Sequence, residues 1–258
     1  MRDKIITGSD IVKRMKKIEH KIAVMSGKGG VGKSTVSALL AVHFARKGYQ
    51  VGLFDADFLG PSIPRLFGVE NKGYEMIISE DGIEPVFSER YGIKIASVQF
   101  LLPRKESPLM WRGLAINSAI RSFLGGVAWG ELDYLIFDLP PGTGDASLTI
   151  MDFVDLDGIV MVTTPHDLSA LIVEKAINMA EKMDTEVLGL VENMSYFECP
   201  KCGEKYYIFG KERKAAELAV KYRIPIIAEI PIDLELAKLA DMGRIEEYEV
   251  DYFEFFEL

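Results

Sequence analysis

The chain has 258 residues, of which 48% are hydrophobic and 27% are charged, and its formal net charge is −9 at pH 7. This length and composition fit one large globular α/β domain with a full core. The negative charge argues against sequence-independent binding to DNA. Charges interrupt every apolar stretch that would cross a bilayer, and the first residues lack the apolar core of a signal peptide. We therefore expect a cytoplasmic protein with neither a nucleic-acid partner nor a membrane partner.

A glycine-rich loop follows the first predicted strand, an apolar run at 21–26. After the loop, apolar residues recur at helical spacing from Lys33 to Lys47, and Gly48 ends this helix. The loop fits the pattern G-x-x-x-x-G-K-S/T, in which backbone N–H groups and the start of a helix surround phosphate oxygens. We predict that Lys33 neutralises the outer phosphates and that the Ser34 hydroxyl is a ligand of Mg²⁺. The predicted nucleotide-binding residues of the loop are Gly27, Lys28, Gly29, Gly30, Val31, Gly32, Lys33, Ser34 and Thr35.

Two further predicted strands end in carboxylates. The second strand is followed by Asp55 and Asp57, and a strand in the middle of the chain is followed by Asp138. Ligands bind at this end of the sheet in open α/β folds, so we predict that Asp57 orients the attacking water or Mg²⁺ and that Asp138 holds the metal. The next loop combines two prolines with Gly142, which suits a γ-phosphate sensor. A capped strand end at Asp55 and a plain turn after Asp138 are the alternative interpretations.

Strand and helix patterns alternate along the rest of the chain, which is typical of a mostly parallel sheet with helices on both faces. Strands are predicted at 93–98, 134–137, 159–162, 187–191 and 224–230, and helices near 113–124, 167–183, 211–222 and 233–242. Apolar runs at 74–78 and 83–87 flank Asp81 and Gly82. This pattern predicts a small antiparallel β-hairpin insertion at the edge of the sheet.

The predicted domain occupies residues 20–243, after an N-terminal segment at 1–19 and before an acidic-aromatic tail at 244–258. The tail has no basic residue after Arg244. A frayed or packed terminus is one interpretation of this composition. Docking of its Tyr and Phe side chains on a partner is the other.

The two cysteines of the chain, Cys199 and Cys202, are too few for a disulfide framework. Two thiolates at this spacing bind one ion or cluster together, and Gly203 relaxes the turn after the second. Structural zinc and cubane clusters take four protein ligands, and none of the three histidines lies at zinc-finger spacing. A two-fold homodimer would bring four thiolates together at its axis. On the residues alone, an iron–sulfur cluster, zinc and a cysteine pair without metal stay open. A thioredoxin-like redox pair is disfavoured, because no helix start follows the first cysteine.

The glycine-rich loop carries an early second lysine, Lys28, and is followed in order by Asp55–Pro64, Met110–Gly113, Trp129–Asp145 and Cys199–Gly203. This set of motifs resembles the Mrp (ApbC-type) family of iron–sulfur cluster carrier ATPases. That family belongs to the MinD, ParA and nitrogenase iron protein group of P-loop NTPases, which share a deviant Walker A motif. The resemblance extends from about residue 20 to residue 243.

The resemblance implies an ATP-sandwich homodimer in which Lys28 reaches the nucleotide of the other subunit and Asp57 positions water there. It also implies that Asn193 contacts adenine, although on the residues alone Asn193 is equally a turn residue. The loop with Pro231 and Asp233 would complete the base pocket. The cysteine pairs of two subunits would bridge a labile [4Fe–4S] cluster, which passes to apo iron–sulfur proteins.

We therefore expect a slow ATP hydrolase that carries an iron–sulfur cluster. One alternative is a nucleotide-gated electron-transfer protein of the nitrogenase iron protein type, but that group bridges its cluster with isolated cysteines from different segments. The other is a ParA/MinD-like positioning ATPase, against which the acidic tail counts, since anionic lipid repels it. The chain departs from relatives in lacking an N-terminal four-cysteine cluster and in having His166 where glutamine is frequent.

Overall fold

A computed structural model of the chain describes residues 7–58, 60–70, 79, 81–101, 113–165, 170–210 and 214–258. Its helices are α1 (Gly8–Met15), α2 (Lys33–Arg46), α3 (Ile63–Leu66), α4 (Gly113–Gly126), α5 (Asp145–Phe153), α6 (Ala170–Lys182), α7 (Lys214–Tyr222) and α8 (Leu234–Asp241). Its strands are β1 (Ile18–Ser26), β2 (Val51–Asp55), β3 (Val86–Phe87), β4 (Lys94–Ser97), β5 (Leu132–Asp138), β6 (Gly158–Thr163), β7 (Val187–Glu198), β8 (Lys205–Tyr206) and β9 (Ile226–Ile232). Short 3₁₀ turns follow at Val98–Leu101 and Ile245–Glu247.

The strands form one sheet in the order β3-β4-β2-β5-β1-β6-β7-β8, and β9 also pairs with β7. In this spatial order, β4, β2, β5, β1, β6 and β7 pair in parallel, and β9 is parallel to β7. Strands β3 and β8 are antiparallel to their neighbours. The second half of central β1, from Ile22, is paired on both sides and buried on both faces, which explains its apolar sequence. Since β1, β2 and β5 are adjacent and parallel, the glycine-rich loop, Asp55 and Asp138 meet at one edge.

The sheet separates two apolar layers because successive strand residues point to opposite faces. In β2, Phe54 packs in the layer of α1, α4, α5, α6 and α7, where its ring stacks 5.8 Å from that of Phe123. Its neighbour Leu53 packs in the layer of α2, α3 and α8. In that second layer the rings of Phe44 and Tyr134 stack with centroids 3.7 Å apart. The predicted α/β fold with helices on both faces is confirmed.

Several short elements differ from the sequence prediction. The structure adds α1, α3, α5 and β8, and β7 continues to Glu198. These helices are at most nine residues long, so each contains too few apolar positions to predict a helix from the sequence pattern alone.

The predicted antiparallel element is present in the pairing of β3 with β4. Between Ser79 and Gly82 the backbone closes a turn with two reciprocal hydrogen bonds, of 2.8 and 3.3 Å. The predicted first arm at 74–78, residues 110–112 and His166 lie outside the described residues.

The acidic-aromatic tail packs on α2. Ile245, Tyr248 and Phe253 are buried in the layer that contains α2, so this helix is covered by the sheet on one side and by the tail on the other. Buried His43 of α2 also meets the tail, with its Nδ1 atom 2.8 Å from Asp251 Oδ2. Of the two interpretations of the tail, the structure shows the packed terminus.

A substitution at Tyr248 measures how much the packing of the tail contributes to the stability of the protein. The Tyr248 hydroxyl donates to Asp233 Oδ2 over 2.9 Å and lies 2.7 Å from the Tyr252 hydroxyl. Because the site is buried, we expect Tyr248→Phe to lower the free energy of unfolding by about 1–2 kcal/mol. The matched control is Tyr206→Phe, since Tyr206 donates to Glu204 on the surface and its loss should cost less than about 0.5 kcal/mol. Urea unfolding measures both, and equal losses would contradict the prediction.

Candidate functional site

The glycine-rich loop has a backbone that requires glycine at two positions. Gly30 and Gly32 have φ values of +83° and +80°, which strain any residue with a Cβ atom. A Cβ added to Gly32 would also lie only 2.2 Å from Asn193 Nδ2. Gly32 directly precedes α2, whose first backbone N–H groups have no partner within the helix. The loop and the helix start therefore present donors and a positive dipole to an anion such as a phosphate.

Buried Lys33 and Asp138 form one polar cluster with half-buried Ser34. Lys33 Nζ lies 2.6 Å from Asp138 Oδ1, and Ser34 Oγ donates to Asp138 Oδ2 over 2.6 Å. The structure thus brings together the predicted phosphate-binding lysine, the predicted Mg²⁺ ligand and the predicted metal-holding carboxylate. Hydroxyl and carboxylate oxygens are the ligand types that Mg²⁺ takes, so these residues fit the metal.

Ser37 belongs to the same cluster but was not predicted. Its hydroxyl donates to Asp138 Oδ1 over 2.7 Å and lies 3.1 Å from the carbonyl oxygen of Lys33. The sequence feature that could have identified Ser37 is its position four residues after Lys33, because this spacing places both side chains on one side of the helix. Three donors therefore hold the Asp138 carboxylate in a single orientation.

Asp55 is buried at the end of β2, and its carboxylate accepts hydrogen bonds from both backbone and side-chain donors. Its carboxylate accepts from the N–H groups of Asp57 (3.2 Å) and Ile63 (3.3 Å) and from Ser97 Oγ (3.1 Å). Burial, and then the charge of Asp138, raise the pKa of Asp55 to about 8, although Lys33 and the hydrogen bonds oppose this shift. These contacts match the capped strand end that the sequence offered for Asp55. They also fix the start of the loop that carries Asp57.

A cavity of about 280 Å³ opens over the loop. Its lining includes Asp57 and most of the predicted loop residues, namely Lys28, Gly29, Gly30, Gly32, Lys33, Ser34 and Thr35. It also includes residues that were not predicted: Ser26, Gly60, Ser62, Leu66 and Pro141. Asp57 Oδ1 also accepts from the Gly60 N–H over 3.2 Å. The loop after β5 reaches the same place, because the Gly142 N–H donates to the Ser26 carbonyl over 2.8 Å, next to Gly27. The backbone of the glycine-rich loop, the side chains of Lys28 and Lys33 and the Asp57 carboxylate thus line one cavity.

The three residues predicted to hold the base lie elsewhere in the described structure. Asn193 Nδ2 donates to the buried Val31 carbonyl over 2.8 Å, so it supports the loop from behind. Asp233 caps α8, since its Oδ1 atom accepts from two backbone N–H groups, and it binds Tyr248 through Oδ2. Pro231 lies half-buried in β9. None of the three lines the 280 Å³ cavity formed by the described residues; the adenine contact stays a prediction.

The two cysteines lie on an exposed knuckle between β7 and β8. The Cys199 N–H donates to the Glu204 carbonyl over 2.9 Å, and the Gly203 N–H donates to the Cys199 carbonyl over 2.8 Å. Gly203 has a φ of +70°, which the turn requires. The N–H groups of Lys201 and Cys202, and then the Cys202 thiol, hold the pKa of the Cys199 thiol below its usual value. The knuckle thus favours the thiolate, the form that binds soft metals.

The knuckle offers two metal ligands and no more. Across the part of the chain that the structure describes, no three His, Cys, Asp or Glu side chains gather to hold a metal ion. A centre with four ligands therefore needs ligands from outside this set.

Strand β7 links the two candidate sites. Asn193 contacts the glycine-rich loop, and Cys199 directly follows the last residue of the strand, Glu198. Between them the pairing of β7 with β9 shifts register, and Met194 has a φ of +55°. This is left-handed backbone that a side chain disfavours. The irregular strand β7 thus contacts the glycine-rich loop through Asn193 and leads directly into the cysteine knuckle.

No helix in the ranges described above is both long and apolar enough to cross a membrane.

A family model of NUBPL iron-transfer P-loop NTPases, within the ParA group, matches residues 17–254 of the chain. The chain belongs to this family. Among relatives of the NUBPL-type proteins, the iron–sulfur cluster carrier protein of Saccharolobus solfataricus is 48% identical over 232 residues, which are 90% of this chain and 77% of that protein. The protein of the same description from Aquifex aeolicus is 49% identical over 233 residues, 90% of this chain and 63% of that protein.

Solved structures agree with this membership of the NUBPL-type family. The nucleotide-binding protein of Archaeoglobus fulgidus, in complex with ADP and with cobalt, is 60% identical, superposes with a TM-score of 0.88 and covers 98% of both chains. The cell division ATPase MinD of Pyrococcus furiosus, at 22% identity and a TM-score of 0.60, covers 89% of this chain and 91% of its own, and supports the fold alone. The resemblance to Mrp-type P-loop NTPases is therefore confirmed, and the chain is a nucleotide-binding protein of that type.

Proposed function

We propose that this protein is an ATP-hydrolysing iron–sulfur cluster carrier. A homodimer holds a labile [4Fe–4S] cluster through Cys199 and Cys202 of each subunit and transfers it to apo-proteins. The observation that carries this proposal is the exposed cysteine knuckle, which supplies half of a four-thiolate centre and lies on the strand that supports the nucleotide-binding loop. The names of the relatives from Saccharolobus solfataricus and Aquifex aeolicus support the same cargo.

The nucleotide chemistry follows from the polar cluster of the loop. Lys33 neutralises phosphate charge, while Ser34 and Asp138 hold Mg²⁺, which when bound offsets the charge that develops on the phosphates. Asp57 orients the attacking water, and Lys28 reaches the nucleotide of the other subunit. The cavity lining of Lys28, Lys33, Ser34 and Asp57 supports these roles. The ADP-bound relative from Archaeoglobus fulgidus supports the nucleotide.

The dimer follows from the number of thiolates. Cubane clusters take four protein ligands, and an isologous two-fold contact doubles the two that one knuckle provides. Zinc accepts the same four thiolates, so the identity of the metal is decided by experiment.

Anaerobic reconstitution with iron and sulfide tests the proposal. We expect about two iron atoms and two sulfides per chain, a dimer by light scattering, and transfer of the cluster to an apo-ferredoxin at a rate that changes with Mg-ATP. Binding of zinc without iron and sulfide, or a cluster that never leaves, would overturn the carrier function. A cluster that only exchanges electrons would favour the electron-transfer alternative.

A further inference from the structure

We propose that the four residues after the knuckle, Tyr206–Phe209, form the surface on which a second copy of this chain docks. We call them the aromatic segment. Their side chains are exposed by 47% (Tyr206), 39% (Tyr207), 59% (Ile208) and 38% (Phe209). Four consecutive large apolar residues on the surface are unusual, because exposed apolar residues normally occur singly. Such a run of exposed side chains is a candidate interaction site.

The aromatic segment lies beside the cysteines. Strand β8 pairs antiparallel with the end of β7, and this places Tyr206 opposite Phe197, two residues before Cys199. Adjacent strands are about 5 Å apart, so the segment begins at the base of the knuckle. Whatever contacts both cysteines of the knuckle therefore approaches the segment as well.

The thiolate count selects a second copy as the occupant. This step rests on the proposed function, in which two knuckles share one centre. The knuckle supplies two ligands, and the described residues gather no larger ligand group. A two-fold axis through a shared centre places the same surface of both chains around it. The aromatic segments of the two subunits then flank the centre together.

The charges of this region permit contact between identical surfaces. The whole chain carries −9, so two copies repel over most of their surface. From Glu198 to Gly210, however, the two acids, Glu198 and Glu204, are balanced by two bases, Lys201 and Lys205. Lys205 Nζ lies 4.1 Å from the centre of the Tyr196 ring, and Glu204 accepts from the Tyr206 hydroxyl. The Lys and Glu side chains of this region thus sum to zero charge, and Lys205 and Glu204 have partners within the chain.

A contact between the aromatic segments would also protect the cargo. Exposed metal centres lose ions to water and chelators, and an apolar shell controls the access of solvent to a metal. The segment thus sets the lifetime of the shared centre without supplying a ligand.

The test compares two double variants that each remove two exposed apolar side chains. Tyr207→Ser with Ile208→Ser changes the aromatic segment. Val220→Ser with Phe255→Ser, at 80% and 96% exposure, is the matched control. Each protein is loaded anaerobically with iron and sulfide and, separately, with Zn²⁺ alone. Light scattering against concentration gives the dimer dissociation constant, and an iron or zinc chelator gives the rate of metal loss.

For the aromatic-segment variant we expect at least about a tenfold weaker dimer and faster metal loss, since central aromatic and aliphatic contacts carry most interface energy. The control should match the wild type, and thermal unfolding should show that both variants fold. Normal dimers and normal metal loss in the aromatic-segment variant would overturn the inference. So would normal dimers that fail only in transfer to apo-ferredoxin, because the surface would then belong to the acceptor. If the wild type takes up only zinc, the carrier function fails, and the zinc arm still decides the docking surface.

Discussion

Lys33→Ala should abolish nucleotide binding and ATP hydrolysis. The Lys33 ammonium group is the buried cation of the loop and lies 2.6 Å from Asp138. Its removal deletes the charge that neutralises the phosphates and leaves Asp138 without its ion pair. We expect the affinity for ADP to fall at least about a hundredfold, and the variant to be less stable than the wild type because a buried carboxylate loses its partner. Calorimetric titration with ADP and a steady-state phosphate assay measure these effects.

A second lysine at the other end of the same helix provides the matched control. Lys47 follows α2 and pairs with Glu257 on the surface over 2.7 Å, an exposed pair that contributes about 0–1 kcal/mol. Lys47→Ala should therefore bind ADP and hydrolyse ATP like the wild type. Thermal unfolding of Lys33→Ala in the absence of nucleotide shows that the loss of binding is not a loss of fold. Wild-type ATPase activity in folded Lys33→Ala would refute the assignment of the loop.

Replacing either cysteine by serine should remove the metal centre and leave the nucleotide site intact. Cys199 and Cys202 lie on the exposed knuckle, and no other cysteine exists in the chain. Each substitution removes two of the four thiolates of the proposed dimer. We expect iron content after reconstitution to fall at least about tenfold, whereas the free energy of unfolding should change by less than about 0.5 kcal/mol.

Lys201→Ala is the control for the knuckle, because it changes the same turn without removing a thiol. It should retain iron, sulfide and the dimer. Iron and sulfide measured by colorimetric assay, with ADP affinity as a check on the nucleotide site, separate the two effects. Full cluster occupancy in either serine variant would show that other residues hold the metal.

Much of this site could be predicted because its residues are close in sequence or follow a simple rule of parallel sheets. The glycine-rich loop has fixed spacing, and Asp138 ends a strand beside it, so Lys33, Ser34 and Asp138 meet as expected. The partner of Asn193 could not be found in this way. It lies 162 positions away, and its contact with Val31 depends on how β7 crosses behind the loop.

The tail shows a second limit of the sequence. Its carboxylates and rings are compatible with a docking segment, but their partners lie on α2, about two hundred residues earlier. The composition of such a segment does not show which surface of the protein it packs against. Likewise, the nucleotide contact of Asp233 stays a prediction, and the structure shows two roles that the sequence did not indicate: Asp233 caps α8 and accepts a hydrogen bond from Tyr248. A polar residue at a strand end can cap a helix as readily as it can bind a ligand, and only tertiary contacts distinguish the two roles.

Strand β7 has a thermodynamic consequence for the two sites it joins. Cys199 lies six positions after Asn193, or about 20 Å of extended chain, with Met194 in left-handed backbone between them. Linkage between two binding sites is reciprocal. If bound nucleotide changes the affinity of the knuckle for its cluster by some factor, the bound cluster changes nucleotide affinity by that same factor. The cargo would thus regulate the nucleotide as strongly as the nucleotide regulates the cargo.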